Sequence, residues 1–408
     1  MPDSKQREKY VLFLTRQYAP IPKVCEICVG RVREALFEKG IKSDVLQFTG
    51  EEGLVETLPI GNVYSVGAGK GKLNITYKNE FVHFCMKASV AYRWPFFYSY
   101  QMNAKYRNRI RELDEKNHYD AIIGMALPVD TAIAGIGFKN YIFYELDAIT
   151  NNPLNSGIIK SILKYRIKNL EKKVFDEAAL IIHMECNRNY FNKKKYLGYK
   201  DKSVYADIPN LIKFPKMDLP KRTDKILCGY FGSLGKEGRN PTYLIKLIEA
   251  IQDEIDIECE FYSRGNCEDI LGEAEARNPE VIHSMGYVMP DKVIESQNRV
   301  DFLLSIGNKL SGEDRSLPSK IIEYMAVGKP IIHIHGGKND SAIPYLEQYE
   351  LICIINPEDN FDENVLKTLS FIRESIGRTI SFDDIKALFY HNTPAYTAQI
   401  ILNYLERK

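Results

Sequence analysis

Short apolar runs rich in branched side chains recur along this chain at helix-length intervals, and that rhythm constrains the fold more than any other feature. In the first half the runs are Val11 to Leu14, Asp44 to Phe48, Ala121 to Met125, Tyr141 to Tyr144 and Ala179 to His183. In the second half they are Ile226 to Phe231, Glu260 to Ser263, Val281 to Ser284, Asp301 to Ile306, Pro330 to Ile334 and Leu351 to Ile355. Between the first two runs lies a helical stretch from Glu26 to Lys39, stopped by Gly40. Strands joined through a helix run parallel, because an antiparallel neighbour needs only a tight hairpin. The expectation is an α/β chain with parallel sheets, whose ligands sit at the carboxyl ends of the strands.

The rhythm breaks once. From Asp207 to Asp224 the chain carries Pro209, Pro215, Pro220 and a charged DLPKRTD tail with little periodicity, the composition of an interdomain linker. This predicts domains over 1–212 and 213–390, with 391–408 holding a last helix, Pro394 to Leu405. A chain of 408 residues that is 45% hydrophobic can fill two cores. No window approaches about 18 uninterrupted apolar residues, so no spanning helix is expected. The polar start MPDSKQREKY lacks the apolar centre of a signal peptide. Eight scattered cysteines fit a reducing cytoplasm, and Cys25 and Cys28 form a C-x-x-C with no second ligand pair for zinc.

Net charge is +1, unevenly spread: residues 1–212 carry 32 Lys and Arg against 23 Asp and Glu, and the remainder 23 against 31. A basic half suggests an anionic surface or substrate. Its cations concentrate from Phe81 to Leu113, read as helical on either side of Pro95, and in a helix between Gly157 and Val174. The second interleaves Lys160, Lys164, Arg166, Lys168, Lys172 and Lys173 with Ile and Leu. Such helices could rest on anionic headgroups, or simply pack their apolar sides on the sheet. Val66 to Lys72, VGAGKGK, lacks the spacing of a phosphate loop and reads as a basic turn between two short strands. Glu145 and Asp147 follow a strand at its carboxyl edge, where they could touch an acceptor hydroxyl or cap a helix.

The most informative stretch is Ser311 to Gly337, SGEDRSLPSKIIEYMAVGKPIIHIHGG. It reads as a loop, a short helix capped by Ser316 or Ser319 with Pro318 in its first turn, a stop at Gly328, and a buried strand. A helix opened this way turns unpaired N–H groups and partial positive charge toward the preceding loop, an attractive place for phosphate. Ser319, Lys320 and Glu323 share one helical face, while Ile322, Met325 and Ala326 supply the buried one. A carboxylate about 5.4 Å, one turn, beyond an anion site can accept hydrogen bonds from neighbouring sugar hydroxyls. The ligand suggested is a nucleoside diphosphate, its ribose on Glu323. Moving negative charge onto such a leaving group needs cations, and the loop GSLGKEGRNP after Ile226 to Phe231 offers Lys236 and Arg239.

PSKIIEYMAVGKPII resembles the nucleotide-sugar motif of retaining GT-B glycosyltransferases, particularly glycosyltransferase family 4. The resemblance implies two Rossmann-like domains facing across a cleft, with the last helix crossing back to the first domain. It also implies transfer of a sugar from a nucleoside-diphosphate sugar to a hydroxyl with retained configuration. Glu323 would bind the ribose and the helix start at Ser319 and Lys320 the diphosphate. The family's earlier Glu falls on Arg315 here, where Glu313 or Asp314 could substitute by a shift of the loop. GSLGKEGRN resembles the family segment G-R-L-x-x-x-K-G, with Ser233 at the Arg position and the Lys position on or beside Gly238. The choice between Lys236 and Arg239 therefore stays open. Arg264 ends its strand at the same edge, and MGYVMPDKV implies that Tyr287, Val288 and Met289 hold the base. Family members often set a Gly-Gly pair against the phosphates after the first strand. This chain has Pro20, Pro22 and Lys23 there, so that contact is not expected.

No D-x-D pair stands in a plausible metal-binding loop, so no metal cofactor is expected. The acceptor in view is a hydroxyl of a lipid-linked or cell-surface polysaccharide intermediate, met at the inner face of the plasma membrane. Two other functions share the motif: a noncatalytic GT-B partner, suggested by Arg315 and Ser233, and a nucleotide-sugar epimerase, which has no use for a basic half. The acidic second half argues against nucleic acid.

Overall fold

The computed structural model describes residues 7–20, 24–68, 100–125, 129–146, 148–149, 158–215, 224–309 and 317–407. Two compact units emerge, Met1–Pro209 with His391–Lys408, and Asn210–Tyr390. Each holds its own sheet.

The first unit is built on eight strands: β1 (Tyr10–Thr15), β2 (Lys42–Thr49), β3 (Gly53–Leu58), β4 (Gly61–Ala68), β5 (Ala121–Met125), β6 (Tyr141–Glu145), β7 (Leu180–Met184) and β8 (Ser203–Ala206). Their spatial order is β3-β4-β2-β1-β5-β6-β7-β8. All pairings are parallel except β3 with β4. A short strand before Val66 to Lys72 is expected from the sequence, but β3, its pairing with β4, and β8 escaped that reading; β3 is mostly exposed and lacks an apolar alternation. The turn expected at Val66 to Lys72 begins as strand through Ala68, and its remainder lies outside the described residues, as does the stretch before Tyr100. From there the helix Tyr100–Asn117 carries the basic segment forward.

The helix Val24–Phe37 ends as a glycine-stopped helix should. Gly40 adopts φ 76°, and Ile41 N–H returns to Leu36 O at 3.0 Å. At the other end of the chain, the helix Pro394–Glu406 starts on Thr393, whose hydroxyl accepts from Tyr396 N–H at 3.2 Å. It packs on the helix Val24–Phe37.

The second unit holds β9 (Ile226–Leu234), β10 (Ile257–Gly265), β11 (Ile282–Ser284), β12 (Phe302–Ile306), β13 (Ile331–Ile334) and β14 (Ile352–Ile355). These six strands are parallel, in the order β11-β10-β9-β12-β13-β14. Cys228, Leu244, Ile248, Phe261, Leu304 and Ile332 are among the buried side chains that fuse sheet and helices into one core. Cys228 and Cys259 lie opposite each other on β9 and β10, both buried free thiols. From β9 the chain winds outward to β11, then returns to lay β12 against the other side of β9. The order reverses between β9 and β12, and the crevice beyond their carboxyl ends is where ligands of such sheets bind.

Candidate functional site

The loops leaving β9 and β12 meet at this reversal. A Cβ added to Gly238 would lie 2.7 Å from Asn308 Oδ1, and one on Gly307 would lie 1.9 Å from Asp340 Oδ2. At Gly307 the approach requires glycine, because the added atom would also lie 2.4 Å from Gly336 N, whereas at Gly238 the Asn308 side chain could swing aside. Asp340 gathers the region behind β12 and β13: its carboxylate accepts from Gly336 N–H at 2.8 Å and Ala342 N–H at 3.1 Å, and meets His333 Nε2 at 3.0 Å. Burial opposes its ionisation, but His333 and the Gly336 and Ala342 N–H groups together outweigh that and hold the carboxyl below its usual range.

Beside these loops stands the helix Ser319–Val327. Pro318 occupies the capping position itself, with ψ 116°, and no side chain caps the helix; Ser319 is its first helical residue rather than its cap. Ser316, the other expected cap, lies outside the described residues, with Glu313, Asp314 and Arg315. Gly328 ends the helix at φ 80°, its N–H bonded to Met325 O at 2.9 Å.

Two neighbouring side chains fix this helix to its surroundings. Tyr324, 2% exposed, places its hydroxyl 2.8 Å from Phe231 N–H on β9, accepting from the strand. Glu323 turns the other way: its Oε1 accepts from Lys320 Nζ at 2.6 Å and from Gln297 Nε2 at 2.8 Å. Only 14% of the Glu323 side chain is exposed, so it is not an acid afloat in solvent. At the helix start, Asn210 Nδ2 donates to Ser319 O at 2.9 Å.

The cations of the β9 loop differ in their commitments. Lys236 is exposed and hydrogen-bonded to Asp269, which raises the ammonium pKa and lowers that of the carboxyl. Arg239 is half-buried and has no carboxylate partner among the described residues. Its charge is felt at two phenols: burial pushes Tyr230 up to about 12 and Tyr324 well above its usual value, with Arg239 opposing in both cases.

Farther along the same edge, Ser233 and Arg264 are partners in the β9–β10 register. Arg264 Nε lies 3.5 Å from Ser233 Oγ, and its guanidinium sits 5.6 Å from the Tyr287 ring centre. Val288 is half-buried between Tyr287 and Met289, which are 62% and 53% exposed.

In the first unit, the backbone amides of residues 16–19, directly after β1, face inward. Gln47 Oε1 accepts from Tyr18 N–H at 2.6 Å and Ala19 N–H at 2.8 Å, while Glu26 Oε1 accepts from Arg16 and Gln17 N–H at 3.2 and 3.3 Å. The amides of residues 16–19 are thus occupied internally, the physical counterpart of the missing glycine pair. Glu145 stands at the end of β6 but points into the core, 0% exposed, with Oε2 on His183 Nδ1 at 2.8 Å. Burial pushes that imidazole down to about 3, so it is neutral. In this conformation Glu145 neither caps a helix at the surface nor meets an acceptor. Asp147 lies outside the described residues.

No protein-family model matches the chain, and no curated protein matches it. Solved structures do. Anabaena Alr3699/HepE in complex with UDP aligns over 98% of this chain and 100% of its own, with TM-score 0.58 and 13% identity. The lipopolysaccharide outer core galactosyltransferase WaaB, apo form, aligns over 97% and 98% with TM-score 0.56 and 11% identity. The chain has the GT-B fold. The catalytic domain of starch synthase IV from Arabidopsis thaliana, bound to ADP and acarbose, is a further GT-B neighbour, at TM-score 0.56 and 10% identity over 98% and 99% of the chains. Identities this low carry the fold and no more.

Within this GT-B chain, the motif residues Lys320 and Glu323 are in contact, and Ser233, Arg264 and Tyr287 form a second connected row. Gln297 and Tyr324, which hold the helix and its acid, were missed by the sequence reading. Their partners are 26 and 93 residues away, and no local spacing signals them. Among the described residues no helix is long and apolar enough to cross a membrane.

Proposed function

We propose that this chain is a glycosyltransferase that moves a sugar, of hexose type, from a nucleoside-diphosphate sugar to a hydroxyl acceptor, with retention at the anomeric carbon. The observation that carries the reading is the Lys320–Glu323 pair, held on the first turns of a helix at the strand-order reversal of a GT-B fold. HepE, a neighbour in fold, has been solved with UDP and with UDP and glucose, which supports a nucleotide-sugar donor. The ribose hydroxyls donate to Glu323, and the diphosphate meets the helix start at Ser319 and Lys320. Ser233, Arg264, Tyr287 and Val288 frame the remainder of the donor.

Arg239 is the cation that accompanies the leaving phosphate, since Lys236 is engaged by Asp269. Charge neutralisation by Arg239 and the helix start takes the place of a divalent metal. The C–O bond to the leaving phosphate breaks as the acceptor oxygen attacks on the same face, and that phosphate takes the acceptor proton. The acceptor belongs to cell-surface polysaccharide or glycolipid assembly, a lipid-linked hydroxyl reached from the cytoplasmic membrane face. Support for the membrane part comes from the basic first half and from the helix Ile158–Glu177, where Tyr165, Lys168, Lys172 and Lys173 are exposed.

A thermal-shift screen of UDP-, GDP-, ADP- and TDP-sugars tests the donor assignment. One donor raises the melting midpoint of the wild-type protein, and Glu323→Ala removes the rise. A wild-type protein indifferent to all four, or an unchanged response in Glu323→Ala, overturns it. Product NMR showing inverted configuration would exclude the retaining step.

A further inference from the structure

Glu323 is held by a side chain that the donor reading does not use. Gln297 lies in the helix Pro290–Arg299, is 0% exposed, and gives its amide N–H to Glu323 Oε1 at 2.8 Å. The helix that carries it is itself fixed in place. Two residues on, Arg299 donates to Glu260 Oε2 at 2.7 Å and to Tyr262 Oη at 2.8 Å, and Glu260 is buried on β10. Tyr262 stacks on Phe231 with ring centres 4.9 Å apart, and Phe231 is the residue whose N–H meets Tyr324. Strand, stack and helix thus deliver one carboxamide to one carboxylate.

From this arrangement we infer that Gln297 is a positioning residue that sets which oxygen of Glu323 meets the donor. The inference rests on the nucleotide-sugar reading given above. A carboxylate oxygen has two lone pairs. Those of Oε1 are taken by Lys320 and Gln297, whereas Oε2 has no hydrogen-bond partner among the described residues. As far as the described residues go, both lone pairs of Oε2 are left for two hydroxyl donors, which is what the vicinal 2′,3′-diol of a ribonucleotide supplies. With Gln297 removed, the carboxylate can rotate and exchange its oxygens, and the diol loses its fixed acceptor.

The experiment is a calorimetric titration of UDP, ADP and GDP, each beside its 2′,3′-dideoxy counterpart, into wild-type protein, Gln297→Leu and Glu323→Ala. Unchanged far-ultraviolet dichroism and melting midpoint serve as the folding control, and Gln297→Glu provides a second variant. The wild-type protein should favour the ribonucleotide that it binds over the dideoxy form. Gln297→Leu should weaken that ribonucleotide about tenfold while changing the dideoxy form less than about twofold, a pattern that general loss of structure cannot give. Gln297→Glu sets two carboxyls together; its ribonucleotide affinity should rise as pH falls and a shared proton restores a donor. If Glu323→Ala abolishes the preference for the diol and neither Gln297 variant weakens it, the inference fails while the donor reading stands. If Glu323→Ala leaves the diol preference intact, or no ribonucleotide binds, the donor reading fails and the inference with it.

Discussion

At the scale of single residues, the contrast between Lys236 and Arg239 is the sharpest consequence of the structure. One cation already has a carboxylate, and the other has none among the described residues, its charge acting instead on the Tyr230 and Tyr324 phenols. Arg239→Ala should lower kcat/KM about 10²-fold or more, the usual cost of removing a group that stabilises developing charge. Lys236→Ala should cost less than about threefold, since an exposed surface ion pair contributes little. Steady-state rates of donor turnover decide the matter, and an equal loss in both variants would return the assignment to the pair. Local chemistry was legible in the sequence: Lys320 and Glu323 are three apart on a helix, and they pair. The inward turn of Glu145 was not, because a residue ending a strand can face either way and only its packing against His183 settles which.

At the scale of elements, helix stops and apolar strands were read well, because glycine at positive φ and branched runs act locally. Gly328 shows how demanding such a stop can be. Its φ is 80°, its carbonyl accepts from Ile380 N–H at 2.8 Å, and an added Cβ would lie 2.3 Å from Ile380 O. Gly328→Ala should therefore destabilise the second unit by about 1–3 kcal/mol, seen as a lower denaturation midpoint. A neutral substitution would show that the backbone there relaxes freely. The start of the same helix was less legible. Two serines and a proline offered several registers, and the structure put the proline in the capping position. The β3–β4 hairpin escaped for a different reason: Leu54 and Val55 are 59% and 40% exposed, so its apolar residues do not report a core.

At the scale of the whole molecule, the repeating strands were enough to expect parallel α/β sheets, while strand order came from long-range pairing that no window reveals. The separation of charge is a property of the complete chain and has its own test. Vesicles rich in anionic lipid should float the protein at low salt and release it near 0.5 M NaCl, where the Debye length is only about 4 Å, and neutral vesicles should leave it behind. Flotation independent of lipid charge, or none at low salt, would remove the membrane proposal. The β1 loop carries a quieter consequence. The amide hydrogens of Arg16, Gln17, Tyr18 and Ala19 are turned inward onto Gln47 and Glu26, so these four residues present no main-chain donor to a visitor. Any molecule arriving there would be met by side chains in place of main-chain donors.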